Sequence, residues 1–218
     1  HVQTYSTYPS QIKGGPTWAQ TRISTNPIQH DGDALDILVV LNHEAYESHI
    51  GELREGGVLV YNAEDFDLDS DGNSVGIDVE ELARSTGNPR AANMVVIGAV
   101  AALGGMPGEY FEDFIRERFT RGRDNDEQII DANIQALQLG VQEIERAGFK
   151  VADLDAPPEE SGPRVVIKGN DAFSLGALTA GLDVFVGYPI SPATTILVFM
   201  EDNLMGDGKM VVQASSEI

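Results

Sequence analysis

"DILVVLNHEAYESHIGELREGGVLVYN", residues 36–62, carries two periodicities in succession, and their order sets the fold class. Asp36 to Asn42 is a short apolar run with β-branched side chains, the pattern of a buried strand. From His43 the apolar residues recur at helical spacing until Gly56 and Gly57, a pair that stops a helix. Val58 to Asn62 is then a second apolar run of strand length. A strand, a helix and a strand joined this closely make a βαβ unit, in which the two strands are parallel and helices cover the sheet. The chain is therefore expected to be α/β.

Downstream of this unit, residues 93–104 and 125–148 read as two long helices. The second places Ile130, Ile134, Leu137, Val141 and Ile144 on one stripe. "DLDAPPEESGP" (Asp153 to Pro163) combines adjacent prolines with acids, Ser and Gly, a linker composition that marks a domain boundary. Beyond it "RVVIKG" is an edge strand or lead-in, Asn170 to Gly181 a helix and Leu182 to Gly187 a buried strand. "GYPISPATT" (Gly187 to Thr195) follows as strand end, tight loop and helix start, with Ser191 as N-cap and Pro192 at the first helical position. "KMVVQ" is a further strand, and "ASSEI" opens another helix, so the second domain reads as a fragment of a larger one.

The 35 acidic against 14 basic residues give a net charge of −21, spread along the chain rather than gathered in a tail. A surface of this kind repels nucleic acid and suits a halophile, since molar salt screens self-repulsion within a few ångströms. The acids are not uniform: residues 1–30 contain none, although about five are expected at the chain-wide frequency. That polar, aromatic segment is expected to be a covered interface. Residues 172–200 hold only Asp183 and are read equally well as core or as interface.

Cysteine is absent, which excludes disulfides, thiolate zinc sites and cysteine-ligated iron–sulfur clusters on this chain. The longest apolar run, "MVVIGAVAALGGM", is shorter than the ~20 residues that span a bilayer. With no signal peptide preceding the chain, the cytoplasm is expected, although a start at His1 suggests a missing natural beginning. "DLDSDGNSVGID" (Asp67 to Asp78) approaches a calcium-loop pattern but lacks the final Glu and the aliphatic eighth residue, and is read as a solvated acidic turn. The four histidines show no metal-ligand spacing, so no metal site is expected.

In the Gly187–Thr195 loop, the Ser191 hydroxyl and the N–H groups of residues 193–195 would lie at a helix N-terminus, where partial positive charge attracts a carboxylate or phosphate. A well-capped helix without a ligand is the plainer reading of the same residues.

"GNDAFSLGALTAGLDVFVGYPISPATTIL", followed shortly by "VVQASSEI", resembles the start of the alpha subunit of the 2-oxoacid:ferredoxin oxidoreductases. "YSTYPSQIKGGPTWAQTRIS", the βαβ unit and "NMVVIGAVAAL" are similar to the gamma domain of the same enzymes, which two-subunit members fuse ahead of alpha. The resemblance is to the fused, haloarchaeal-like type. It implies a Rossmann-like gamma domain (1–153), a linker (154–163) and the N-terminal part of a thiamine-diphosphate pyrimidine-binding domain (164–218).

The implied activity is oxidative decarboxylation of a 2-oxoacid, of the pyruvate or 2-oxoglutarate class, to its acyl-CoA, with electrons passed to ferredoxin. The implied catalytic residues are Glu217 and Ser191. Tyr188, Pro189, Ser191 and Thr194 would meet the substrate, Ser191 facing its carboxylate where the family more often has Thr. Glu217 would hold the aminopyrimidine of thiamine diphosphate; a carboxyl there favours the imino tautomer that removes the proton from the cofactor's reactive carbon, which requires a dry pocket and a raised pKa. Lys13, Gly14 and Gly15 match a basic-Gly-Gly segment that, with Arg22, would meet phosphates such as those of coenzyme A. The family's glycine-rich phosphate turn precedes this point. A beta subunit would carry the cofactor diphosphate, its Mg²⁺ and the iron–sulfur cluster, in keeping with the absence of cysteine here. The alternative is a non-catalytic assembly subunit, or one that binds coenzyme A or a nucleotide.

Overall fold

The computed structural model describes residues 1–7, 15–66, 68, 72–154 and 165–217. By backbone proximity the chain divides into two units, residues 29–157 and residues 1–28 with 158–218. Most of the expected linker lies outside the described residues.

The chain opens with an antiparallel hairpin of β1 (Val2–Thr7) and β2 (Trp18–Ile23), in register from Val2 opposite Ile23 to Thr7 opposite Trp18. Its open end is closed by His1 and Ser24, the terminal ammonium donating to the Ser24 carbonyl at 2.8 Å and the Ser24 N–H to the His1 carbonyl at 3.0 Å. The Tyr5 and Trp18 rings lie 5.4 Å apart. Both are exposed, so the covering inferred from the missing acids is not supplied by the described residues of this chain.

In the central unit β3 (Leu35–Val40), β4 (Leu53–Asn62) and β5 (Ser74–Ile77) form a parallel sheet in the order 3-4-5. The expected βαβ unit is β3, α1 (His43–His49) and β4. Asn42 caps α1, its Oδ1 accepting the Ala45 N–H at 2.8 Å. The helix is shorter than expected: a single 3-10 turn covers Ile50–Glu52 and the backbone is extended from Leu53. Ile50 and Leu53 keep helical spacing because both pack into the core beside α1, one from the turn and one from the strand.

β4 is buried from Gly57 to Asn62, as a central parallel strand must be. Val58 and Val60 point to one face with Val75 and Ile77 of β5, against α2 (Val79–Ser85), α3 (Ala92–Leu103) and α5 (Asp126–Ala147). Leu59 and Tyr61 point to the other face with Leu38 and Val40, against Ala45, Tyr46 and Phe66. Each such aliphatic side chain contributes roughly 1.5–3 kcal/mol through its removal from water. The fold of this unit is three layers, α/β/α.

α4 (Glu109–Phe119) packs Ile115 onto the Ile130, Ile134 and Leu137 stripe of α5. α5 ends where expected: Gly148 takes φ +75°, and its N–H returns to the Ile144 and Glu145 carbonyls. Part of the calcium-like loop lies outside the described residues. Its second half, Ser74–Ile77, is β5, and Asp78 immediately precedes α2. Val75 and Ile77 are buried there, which commits that half to the sheet core.

In the C-terminal segment residues 165–168 are a lead-in, with no regular structure before α6 (Gly169–Thr179). β6 (Val184–Gly187) and β7 (Met210–Gln213) pair in parallel around α7 (Thr194–Asn203), a second βαβ unit. β6 is not the buried strand expected: Val184 is 45% and Val186 61% exposed. Among the described residues this sheet has two strands, so the outer face of β6 has no layer over it. Ala214–Glu217 carries a bend rather than the expected helical turn. No helix among the described residues is long and apolar enough to cross a membrane.

Candidate functional site

The loop between β6 and α7 is fixed at both ends. At its start the Gly187 carbonyl accepts the Ala214 N–H at 2.8 Å, tying the exit of β6 to the exit of β7. A Cβ on Gly187 would lie 2.8 Å from the Phe185 ring, which would have to turn aside for any larger residue. The Ile190 N–H then donates to the Tyr188 carbonyl at 2.9 Å and the Thr194 N–H to the Ile190 carbonyl at 3.0 Å. The Ser191–Pro192 peptide is cis.

Helix α7 begins at Thr194, not at Pro192. Its N-cap is Ala193, which supplies no side-chain bond, so Ser191 is not the cap. The helix thus starts two residues later than the Ser-Pro pattern suggests. The Thr194 N–H is committed to Ile190, leaving at most the N–H groups of residues 193 and 195 from the expected set.

A side chain from the neighbouring helix ties the loop instead. Asn170, in the first turn of α6, donates from Nδ2 to the Pro192 carbonyl at 2.9 Å and to Thr195 Oγ1 at 2.8 Å. Its own carbonyl accepts the hydroxyl of the fully buried Ser174 at 2.7 Å. At the other end of the small sheet, Lys209 Nζ donates to the Leu182 carbonyl and to Asp183 Oδ1, both at 2.7 Å.

Between loop, sheet and helix lies a cleft of ≈ 400 Å³ with Phe173, Phe185, Tyr188, Ile190 and Ile196 in its wall and Glu217 at its edge. Of the residues expected from sequence, Tyr188 and Glu217 come together here. Ser191 and Pro189 are exposed, Thr194 is half-buried, and none of the three lines the cleft. Glu217 is itself exposed, so the dry setting expected for it is not provided by the described residues. Lys13 and Gly14 lie outside the described residues; Gly15 is described, with φ +107°.

A larger groove, ≈ 580 Å³, runs between the end of α3, the start of α4 and α5 in the central unit. Its polar lining is Gln138, Gln142, Glu145 and Lys150, and no residue expected from sequence reaches it. The same unit holds a carboxyl pair. Glu64 accepts the Arg84 guanidinium at 2.7 Å and the Glu81 N–H at 2.8 Å, while Asn62 Nδ2 reaches Glu80 at 3.5 Å. Hydrogen bonding between the two carboxyls, then partial burial, raises the pKa of Glu80; the same bond, with help from Arg84, lowers that of Glu64. One proton shared between them, resting on Glu80, satisfies both shifts.

The family match covers the hairpin and most of the three-layer unit. The chain belongs to the pyruvate ferredoxin/flavodoxin oxidoreductase family, whose model matches residues 1–143. It is 30% identical to the 2-oxoglutarate oxidoreductase subunit KorA of Mycobacterium tuberculosis, over 90% of this chain and 35% of that protein. It is 32% identical to the ketoisovalerate oxidoreductase subunit VorA of Methanothermobacter marburgensis, over 64% of this chain and 30% of that one. The chain thus spans about a third of the length of these curated relatives.

Among solved structures it is similar to the 2-oxoglutarate:ferredoxin oxidoreductase from Magnetococcus marinus, determined with 2-oxoglutarate, coenzyme A and succinyl-CoA bound. There the TM-score is 0.85 at 29% identity, over 99% of this chain and 38% of that one. The gamma subunit of a keto/oxoacid ferredoxin oxidoreductase from Geobacter sulfurreducens matches 66% of this chain and 80% of its own, with a TM-score of 0.52 at 25% identity.

Proposed function

We propose that this chain is a fused gamma–alpha subunit of a 2-oxoacid:ferredoxin oxidoreductase, catalysing coenzyme-A-dependent oxidative decarboxylation of a pyruvate- or 2-oxoglutarate-class acid with reduction of ferredoxin. The observation that carries this reading is the cleft that brings Glu217 to the Tyr188–Ile190 loop, residues 27 apart in sequence at the nearest. Aromatic and aliphatic walls with one carboxyl at the edge fit a flat, mostly apolar ring that carries a nitrogen to be hydrogen-bonded, as the aminopyrimidine of thiamine diphosphate does. When bound, that cofactor supplies the carbon nucleophile that the decarboxylation needs.

The chain's own residues bind and orient. Glu217 holds the ring nitrogen; Phe173, Phe185 and Tyr188 flank the ring; Ser191 and Thr194, with Tyr188 and Pro189, receive the substrate carboxylate beside the N-terminus of α7. Lys13, Gly14 and Gly15 meet coenzyme A phosphates. We assign residues 1–153 to the gamma domain and 164–218 to the opening of the pyrimidine-binding domain.

A beta partner holding the cofactor diphosphate, Mg²⁺ and the iron–sulfur cluster completes the site and excludes water from Glu217. The exposed apolar side chains Phe173, Val186, Tyr188 and Ile190 support such a partner. The charge of −21 supports a halophilic enzyme, which we assign to the cytoplasm.

The test is coenzyme-A-dependent ferredoxin reduction by the complete chain co-expressed with its cluster-bearing partner in molar KCl, with several 2-oxoacids, for wild type and Glu217→Gln. Activity lost in the variant while the complex still assembles supports the reading. Unchanged activity removes Glu217 from the chemistry and favours an assembly subunit.

A further inference from the structure

We propose that Asn170 is the positioning residue of the substrate loop, fixing Tyr188–Thr195 against α6 by giving both protons of its side-chain amide to that loop. The proposal rests on the function proposed above and adds to it a residue outside the cleft wall.

Three observations carry it. The loop enters α7 without a side-chain cap, since Ala193 occupies the N-cap. Within the loop the backbone bonds, Ile190 to Tyr188 and Thr194 to Ile190, are local, and the Gly187–Ala214 bond holds only its start. Asn170 supplies the tie to another element, at 2.9 Å to the Pro192 carbonyl and 2.8 Å to Thr195 Oγ1.

The orientation of the amide follows from its partners. A carbonyl oxygen can only accept, so the group facing Pro192 is the NH₂ and not the amide oxygen. Both amide protons are then used, and the Thr195 hydroxyl, accepting one of them, keeps its own proton to donate. The backbone of Asn170 belongs to α6, where its main-chain carbonyl accepts the hydroxyl of the fully buried Ser174 at 2.7 Å. The residues that would receive the substrate carboxylate, Ser191 and Thr194, flank the Pro192 carbonyl on which Asn170 acts. A displacement of about 1 Å there costs on the order of a hundredfold in a reaction that depends on orientation.

Asn170→Asp separates this role from a merely structural one. The replacement has the same shape, and an acid in the first turn of α6 favours the helix, but it presents oxygens to the Pro192 carbonyl and donates nothing. In the complete chain assembled with its partner, two readouts apply. In hydrogen–deuterium exchange, peptides covering residues 188–197 are expected to exchange on the order of tenfold faster in Asn170→Asp, with residues 29–154 unchanged. In turnover, KM for the 2-oxoacid is expected to rise about ten- to a hundredfold, with KM for coenzyme A unchanged.

Thr195→Val, which removes one acceptor at an exposed position, is expected to move both readouts the same way by less. The double variant should be no worse than Asn170→Asp alone, because both changes cut one tie. Wild-type exchange over 188–197 in both single variants overturns the proposal whatever the activity. Faster exchange with an unchanged KM overturns it for catalysis. If the wild-type complex reduces ferredoxin with no 2-oxoacid, the functional reading fails instead, and exchange still decides whether Asn170 holds the loop.

Discussion

Gly98 of α3 and Gly140 of α5 occupy reciprocal places at one helix crossing. A Cβ on Gly98 would meet the Leu137 carbonyl, and a Cβ on Gly140 the Val95 carbonyl, each closer than the 3.0 Å that real Cβ atoms keep. The two backbones touch because neither residue has a side chain, and this contact sets how deeply α3 and α5 bury their shared core with the sheet.

Either glycine replaced by alanine should therefore force the helices apart. We expect Gly98→Ala and Gly140→Ala each to lower stability by about 1–3 kcal/mol, despite alanine's better helix propensity. Chemical denaturation in KCl checks this. The double variant should cost less than the sum, because the first separation makes room for the second Cβ.

Glu80 and Glu64 predict a signed pH dependence. The ordinary value for both is 4.5, with Glu80 raised and Glu64 lowered. A raised carboxyl means that the folded state holds a proton the unfolded chain releases, so the stabilisation from Glu80 is present at low pH and is lost as pH rises through its folded pKa. The contribution of Glu64 has the opposite sense, present at neutral pH and lost as pH falls through its lowered value. Glu80→Gln keeps a donor toward Glu64 without a proton to lose. The variant's Tm should gain on wild type as pH rises from 5 to 8; a constant difference across that range would exclude the shared proton.

Asp126 closes the turn before α5. Its Oδ2 accepts the N–H groups of Arg121 at 2.5 Å and Arg123 at 3.0 Å. These bonds, the one from Arg123 foremost, hold its carboxyl below the ordinary 3.8. Asp126→Asn places an amide where charge-assisted bonds were. It should lower Tm at pH 7 and narrow the difference from wild type as pH falls through the carboxyl's lowered value, measured by thermal melts from pH 7 to 2.5.

Ser191 is expected to act on binding rather than on turnover. Ser191→Ala should raise KM for the 2-oxoacid about tenfold with little change in kcat, the signature of one lost hydrogen bond to the carboxylate. Ser191→Thr should remain near wild type, because the hydroxyl is retained. Steady-state ferredoxin reduction at varied 2-oxoacid distinguishes the two.

Where sequence and structure agree, the signal was periodic and long. Residues 36–62 spelled out the parallel sheet, and the α5 stripe, with Gly148 after it, located a helix of 22 residues to within one residue at either end. β5 was hidden because its four residues, Ser74–Ile77, follow an acidic run whose composition dominates the reading. α1 was overextended because Ile50 and Leu53 continue the helical spacing into a turn and a strand that bury them on the same side.

At the candidate site, Tyr188 and Glu217 entered through the family resemblance, since spacing alone reads Glu217 as a first-turn acid, and the helix start was not legible. Ser-Pro reads as N-cap and first helical position, and nothing local in the sequence marks a start two residues later. Asn170 had no legible signal: an asparagine at the start of a helix reads as serving that helix, whereas this one serves the next.

The uncovered outer face of β6 bears on the order of events during synthesis. A ribbon of two parallel strands is marginal in water, and here α7 packs against it while Val184 and Val186 stay exposed. Residues 29–157, with a core on both faces of their sheet, are equipped to become native while the polypeptide is still being made. The β6–β7 ribbon gains comparable rigidity only once something lies across Val184 and Val186. Protease challenge during translation should thus find two ages of structure in one chain, an early resistant body and a later one whose resistance dates from assembly.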